Sequence, residues 1–287
     1  MTRFIIALES DQHGGSSLGL LHPLTNLRAE DEEGNPYTYH PQLTKTQIYI
    51  NELRNKGIKS ISKWAGKDPI VVFNLGDITE GNAHPALLVS NRLSDQHLIA
   101  EKNQCIWLDM KQVSHYRLAI GTPAHNFGNG SSDAIVTGLL KRSYPKKNIR
   151  SLYHGITDIK GFKVDFAHRG PGTGIRNWTE GNIARLYLRS LIDKDVSMGK
   201  EPPNLVVRGH YHNLVRATDH RWVNGEYRTF ELIVLPSLCG LNEYAANITA
   251  NNRYITIGIM GIEVVGGEIG RVVKHVEVLD MATEESI

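Results

Sequence analysis

Short apolar runs punctuate the chain at residues 4–8, 70–74, 116–120, 162–167 and 204–207, each bounded by polar or turn-forming residues. Runs of this length read as buried strands. Between them the spacing of apolar positions changes to that of a helix. Residues 41–64 carry Leu43, Ile48, Ile50, Leu53, Ile58 and Ile61, with Gly57 as a candidate break. Residues 94–113 predict a second helix, for which Ser94 and Asp95 are candidate N-caps, and residues 177–193 a third, in which Ile183, Leu186, Leu188 and Leu191 are apolar. Strand and helix patterns that alternate in this way predict an α/β fold. Beyond residue 227 the character shifts: residues 228–235, 254–265 and 270–279 are rich in β-branched residues and glycine, and antiparallel strands are expected to finish the sheet. We treat residues 1–287 as one domain. Its longest polar, turn-rich stretch, residues 14–41, is expected to be an excursion over the surface.

Composition narrows the function classes. Lys and Arg total 32 against 30 acidic residues, so no strong overall field argues for a nucleic-acid or membrane surface. A local basic cluster, Lys141, Arg142, Lys146, Lys147 and Arg150, is a candidate for phosphate contact or a solvated loop. Cys105 and Cys239 stand far apart without CxxC spacing, which argues against a disulfide framework or a thiolate metal site and fits a reducing, cytoplasmic setting. The apolar run at residues 4–8 meets Glu9, Ser10 and Asp11 at once and is too short for a signal segment or a membrane span.

The residues that can do chemistry stand just past the end of each strand. After the first comes ESDQHGG, with Asp11 and His13. After the second comes NLGDITEGNAH, with Asp77, Glu80 and His84. The third leads to IGTPAHNFG, with Thr122, His125 and Asn126. The fourth leads to His168 and Arg169, and the fifth to RGHYH, with His210 and His212. In α/β sheets the carboxyl ends of parallel strands share one edge, where ligands bind. Any one of these fragments has a structural explanation. Their recurrence after successive strands points instead to a metal centre. Imidazoles and carboxylates without thiolate suit Mn, Fe, Zn, Ni or Co, and six such ligands exceed the usual shell of one tetrahedral ion, so two divalent ions are expected.

The ordered set Asp11-x-His13, Gly76-Asp77, a Gly-to-His segment at 121–125, His168 and Gly209-His210-x-His212 resembles the calcineurin-like metallophosphoesterase superfamily. The resemblance implies a four-layer αββα sandwich with mixed sheets. It also implies a dinuclear centre, most simply of Mn, and hydrolysis of phosphomonoesters or phosphodiesters by a hydroxide bridging the metals. Asp11, His13 and His212 would hold the first ion, Asp77 would bridge, and His168 and His210 would hold the second. One motif departs from the pattern. Where the superfamily has Gly-Asn-His followed by Asp or Glu, this chain has Gly121-Thr122-Pro123-Ala124-His125, so Thr122 occupies the place of a ligating Asn and His arrives two residues late. His125, Asn126 or His84 is a candidate to supply what Thr122 cannot, and His125 has two open roles, general acid or ligand.

Arg169 and Arg176 are candidate phosphate contacts and Glu80 a candidate partner of a ligating histidine. His22, His40, His97, His115, His154, His220 and His275 have no motif context. The expected substrate is a phosphoester, with nucleotides or nucleic acid as the favoured class. Against a protein phosphatase stands Gly81 after Glu80. The altered segment at 121–125 also leaves open a metal-binding module that has kept the fold and lost turnover.

Overall fold

The computed structural model describes residues 2–83, 87–128, 130–172, 181–241, 254–282 and 285. In chain order the strands are β1 (Arg3–Glu9), β2 (Leu27–Glu30), β3 (Pro36–Tyr39), β4 (Ile70–Asn74), β5 (Val113–Ala119), β6 (Asn148–Leu152), β7 (His154–Ile159), β8 (Phe162–Ala167), β9 (Leu205–Arg208), β10 (Val215–Val223), β11 (Glu226–Val234), β12 (Tyr254–Val265) and β13 (Glu268–Asp280). The helices are α1 (Lys45–Ala65), α2 (Leu93–Leu108), α3 (Ser131–Ser143) and α4 (Asn182–Ser197). A six-stranded sheet has the order β13-β12-β1-β4-β5-β6 and a five-stranded sheet the order β10-β11-β9-β8-β7. Both are mixed. β1, β4, β5 and β6 run parallel, as do β8, β9 and β11, with antiparallel strands outside them.

Alternation along the strands builds the layers. In β1, Ile5 and Ala7 face α1 and α2 with Ile50, Leu53 and Trp107, whereas Phe4, Ile6 and Leu8 face the other sheet. In β9, Leu205 and Val207 enter that same space between the sheets, and Val206 turns outward to meet Leu188 and Ile192 of α4. Three apolar cores therefore separate four layers, an αββα sandwich. Among the described residues no helix is long and apolar enough to cross a membrane.

Several expected boundaries move, for identifiable reasons. α1 begins not at residue 41 but after Thr44, whose hydroxyl accepts the Gln47 N–H while the Gln47 side chain accepts the Thr44 N–H. Gly57 does not break it. It lets the helix lie against Ile259 and His275 of the sheet. α2 ends at Leu108, because Val113 already belongs to β5, and its cap position is Arg92 rather than Ser94 or Asp95. The Asp95 carboxylate instead accepts from Ser90 Oγ at 2.7 Å. The third expected helix is α4, which starts at Asn182; residues 173–180 lie outside the described residues. The C-terminal strands do not finish one sheet: β11 joins the second sheet, parallel to β9, while β12 and β13 extend the first. Residues 14–41 divide. Residues 14–21 are mostly buried and bridge to Thr79, Leu88 and Cys239, and an exposed hairpin of β2 and β3 lies beyond them.

Candidate metal centre

Five parallel strands from the two sheets end on one edge of the sandwich. β1 delivers Asp11 and His13, β4 delivers Asp77, β5 delivers Thr122 and His125, β8 delivers His168, and β9 delivers His210 and His212. The chain must turn sharply to aim these groups inward. Among the described residues, seven non-glycine positions have positive φ, and five of them are Asp11 (52°), His13 (47°), Asp77 (48°), His210 (76°) and His212 (51°). Left-handed backbone is costly for residues with a Cβ, and it concentrates here at the candidate ligands. The motif glycines serve close approach: a Cβ on Gly209 would overlap Ser10 Oγ, and one on Gly121 would overlap Asp77 Oδ1.

Three overlapping groups of potential ligands result, each with its donor atoms within 4.8 Å of one another: Asp11, His13 and His212; His13, Asp77 and His125; Asp77, His168 and His210. In the first, His13 Nε2 lies 3.3 Å from His212 Nε2, and His212 Nε2 lies 3.4 Å from Asp11 Oδ1. The other polar atoms of His13 and Asp11 are spoken for, whereas His212 Nδ1 is buried with no hydrogen-bond partner among the described residues. His13 Nδ1 donates to Glu80 Oε2 at 2.8 Å, and Asp11 Oδ2 accepts Ser10 Oγ at 2.5 Å and the His210 N–H at 3.0 Å. Glu80 thus orients a candidate ligand histidine, as a carboxylate behind a metal-bound imidazole would. Asp11 Oδ1 is buried and has no hydrogen-bond partner.

On the other side, His168 Nδ1 donates to the Leu75 carbonyl at 2.5 Å, leaving Nε2 2.9 Å from Asp77 Oδ2 and 4.0 Å from Asp11 Oδ1. Asp77 Oδ1 accepts the Thr122 N–H at 2.6 Å, and the Thr122 hydroxyl lies 3.2 Å from both carboxylate oxygens. Thr122 therefore serves the Asp77 carboxylate. His125 is fixed from the β4 loop: its Nδ1 donates to the Glu80 carbonyl at 2.7 Å and its own carbonyl accepts Thr79 Oγ1 at 2.6 Å. Its Nε2 stands 4.0 Å from Asp77 Oδ2, and its ring meets His13 edge to face at 4.4 Å.

Burial and charge shape the acid–base properties. Burial alone would raise the carboxyl pKa of Asp11, but the close approach of His212 to Oδ1 and the charge of His168 hold it below the ordinary range. Asp77 is lowered in the same way, burial being outweighed by His168 and then by His125 and His13. His168, which burial would lower, is raised by Asp77 and Asp11 to about 9. His210 is lowered to about 4 by burial and by the charge of His168. His125 is lowered by burial and by His13.

The remaining candidates disperse. Arg169 is exposed beside His210, whose pKa its charge depresses. Arg176 and His84 lie outside the described residues. Asn126 is committed to Asp133: its Nδ2 donates to Asp133 Oδ2 at 2.8 Å and its Oδ1 accepts the Asp133 N–H at 3.3 Å. No sequence motif marks Asp133, yet it pins the rebuilt loop by also accepting the Gly121 N–H at 3.0 Å. The one signal open to sequence reasoning is its place in the first turn of α3. The basic cluster is far from the site, because α3 leads away from the ligand edge and β6 starts at the opposite one; Lys147 Nζ is bound to the Met110 and Val113 carbonyls.

The donor set fits divalent cations. Three histidines have Nδ1 already committed, so their Nε2 lone pairs converge with Asp11 Oδ1 and Asp77 Oδ2, an arrangement that either extra protons or cations must reconcile. No family model and no curated protein matches the chain. Among solved structures it is similar to a protein of unknown function, AQ665 from Aquifex aeolicus, with 14% identity and a TM-score of 0.30 over 72% of this chain and 78% of that one.

Proposed function

We propose that the protein is a dinuclear metal-dependent hydrolase of phosphoric esters. The observation that carries this reading is His168: its one neutral-state proton is given to the Leu75 carbonyl, and its bare Nε2 faces the Asp77 carboxylate at 2.9 Å. The same atoms would be joint ligands of a cation: Asp11, His13 and His212 would hold the first ion, Asp77 would bridge, and His168 and His210 would hold the second. Divalent ions so placed supply Lewis acidity toward phosphoryl oxygens and lower the pKa of water.

The chain's own groups do the rest. Arg169 offers an exposed guanidinium to the substrate's phosphate oxygens beside His210. His125, held by Glu80 and Thr79, presents Nε2 toward the centre and, in its imidazolium form, delivers the Nε2 proton to the departing oxygen; its lowered pKa makes that form a stronger acid but a scarcer one at neutral pH. Thr122 and Glu80 fix the bridging carboxylate and His13. With the basic cluster on the opposite edge, a short phosphoester suits the site better than a long strand tracked by lysines. A second reading, a metal-binding module without turnover, is favoured by Thr122, whose hydroxyl is turned to Asp77.

Metal analysis of the purified chain, and then a Mn-supplemented screen, tests both readings. The screen's substrates are p-nitrophenyl phosphate, bis-p-nitrophenyl phosphate, cyclic nucleotides and DNA. Two bound ions with turnover of at least one ester is the expected result. Two ions without turnover would favour the binding module, and a chain that takes up no metal would refute both.

A further inference from the structure

Directly beneath the turn that carries Asp11 and His13 lies a polar cluster sealed from solvent. Glu9, Gln12 and Asn74 have no exposed surface, nor has Trp107, and Arg54 and Gln104 are 1% exposed. Glu9 Oε2 accepts Arg54 Nε at 2.9 Å and Trp107 Nε1 at 3.0 Å. Glu9 Oε1 accepts Arg54 Nη2 at 3.1 Å, Gln12 Nε2 at 2.9 Å and Asn74 Nδ2 at 3.5 Å. Gln12 and Gln104 form a reciprocal amide pair, Gln104 Nε2 to Gln12 Oε1 at 2.6 Å and Gln12 Nε2 to Gln104 Oε1 at 3.3 Å. Asn74 ties in the second loop: its Oδ1 accepts the Gly76 N–H at 3.1 Å while its Nδ2 also reaches Gln104 Oε1 at 3.3 Å.

A buried ion pair adds little stability over an apolar core of the same volume, so this cluster is a poor way to stabilise the sheet. What it does well is specify position, since every amide and carboxylate atom of it is hydrogen-bonded. Gln12 stands between two residues forced into left-handed backbone, and its side chain is held on the side away from the centre. We infer that Gln12, locked by Glu9 and Gln104, is a positioning residue that sets the separation of Asp11 from His13 and thereby the fit of the first metal position. The inference rests on the metal-centre reading and adds to it a determinant of affinity that touches neither ion nor substrate.

The test isolates the two positions. Mn²⁺ binding to the full chain is measured by calorimetry and electron paramagnetic resonance in a His210→Ala background, which leaves the first position, and in a His212→Ala background, which leaves the second. Adding Gln12→Leu should weaken binding about 10- to 100-fold in the first background, the usual effect of losing a residue behind a ligand, and leave the second unchanged. Equal weakening in both backgrounds would mean general loosening and would overturn the inference, as would no weakening in either. If neither background binds Mn²⁺ before Gln12 is changed, the metal-centre reading itself fails. Where Gln12→Leu alone does not fold, Gln12→Leu with Gln104→Leu and Tyr116→Phe replaces the amide pair and the hydroxyl on Gln104, bound at 2.6 Å, by apolar groups. In that variant recovered folding with weakened first-position binding supports the inference, and recovery of both overturns it.

Discussion

The two sheets contribute unequally to the two proposed metal positions. Behind the first position the six-stranded sheet sets a closed polar cluster, and that position has Asp11 as its own carboxylate with Glu80 at 2.8 Å behind His13. The second has the bridging Asp77 and two histidines, His168 and His210, with the cation of Arg169 next to His210. The ion pair near the ends of β8 and β9, Arg208 with Asp165 at 2.7 Å, lies on the outer face of the five-stranded sheet, where the exposed His154 is 2.8 Å from Asp165. Ligand charge tunes metal affinity. On the proposed assignment, one edge of the fold would offer two cation sites of different electrostatic strength, although the histidine count is the same.

The largest effect should come from the residue both halves share. Asp77→Asn removes the bridging charge, so turnover should fall on the order of 10³-fold with metal content falling in parallel; two retained ions at full turnover would end the bridging assignment. Next is the inequality itself. Titration of the metal-free chain with Mn²⁺ should show two steps at least about tenfold apart, with the tighter lost in His212→Ala and the weaker in His210→Ala. Two indistinguishable steps would show that the charge difference between the halves has no thermodynamic weight.

How much of this difference is legible in the sequence depends on distance along the chain. The ligands are readable because each directly succeeds an apolar strand, and the five strands are readable because burial on both faces makes them nearly uniform. The supports are not. Gln12 and Glu9 have no local signal, since their partners Arg54 and Gln104 sit on α1 and α2. Asp133 acts on Gly121 through a contact that only the packing of α3 creates. Strands β6, β7 and β10 escape notice because their exposed alternate positions break the apolar runs that mark the others. The sheet that β11 joins is hidden because its parallel partner, β9, is distant in sequence.

Two side chains sharpen the contrast between the halves at a smaller scale. If His125, on the first side, protonates the leaving group, His125→Ala should slow alkyl phosphoesters about 10²-fold and spare p-nitrophenyl esters, whose phenolate leaves unaided. Equal slowing with loss of an ion would instead make it a ligand, and no change in either would return it to a structural role. Arg169→Ala, on the second side, should raise KM about tenfold with little change in kcat, as expected for one charge-assisted contact. An unchanged KM across the ester series would remove Arg169 from the site.

The smallest effect is on the stability of the metal-free chain, and its sign differs between two histidines of the second position. His168 is raised from its ordinary 6.5 to about 9, so between those values the folded chain holds a proton that the unfolded chain has released. Its contribution is complete below about 6.5 and is lost as pH rises through about 9. His210 is lowered to about 4, so the unfolded chain binds the extra proton between 4 and 6.5, and its contribution is present above about 6.5 and lost as pH falls toward 4. Between about 4 and 6 the Asp133 carboxyl, raised by burial to about 6, works against His210, so the alkaline limb should be the visible one, a Tm that declines by a few degrees as pH rises toward 9. His168→Ala should flatten that limb, and His210→Ala should change the acid side alone. Saturating Mn²⁺ should abolish the alkaline slope, because ligation requires His168 without its Nε2 proton, so above about 6.5 neither the metal-bound folded chain nor the unfolded chain holds it. An alkaline limb that survives both His168→Ala and saturating metal would place the titrating group elsewhere in the molecule.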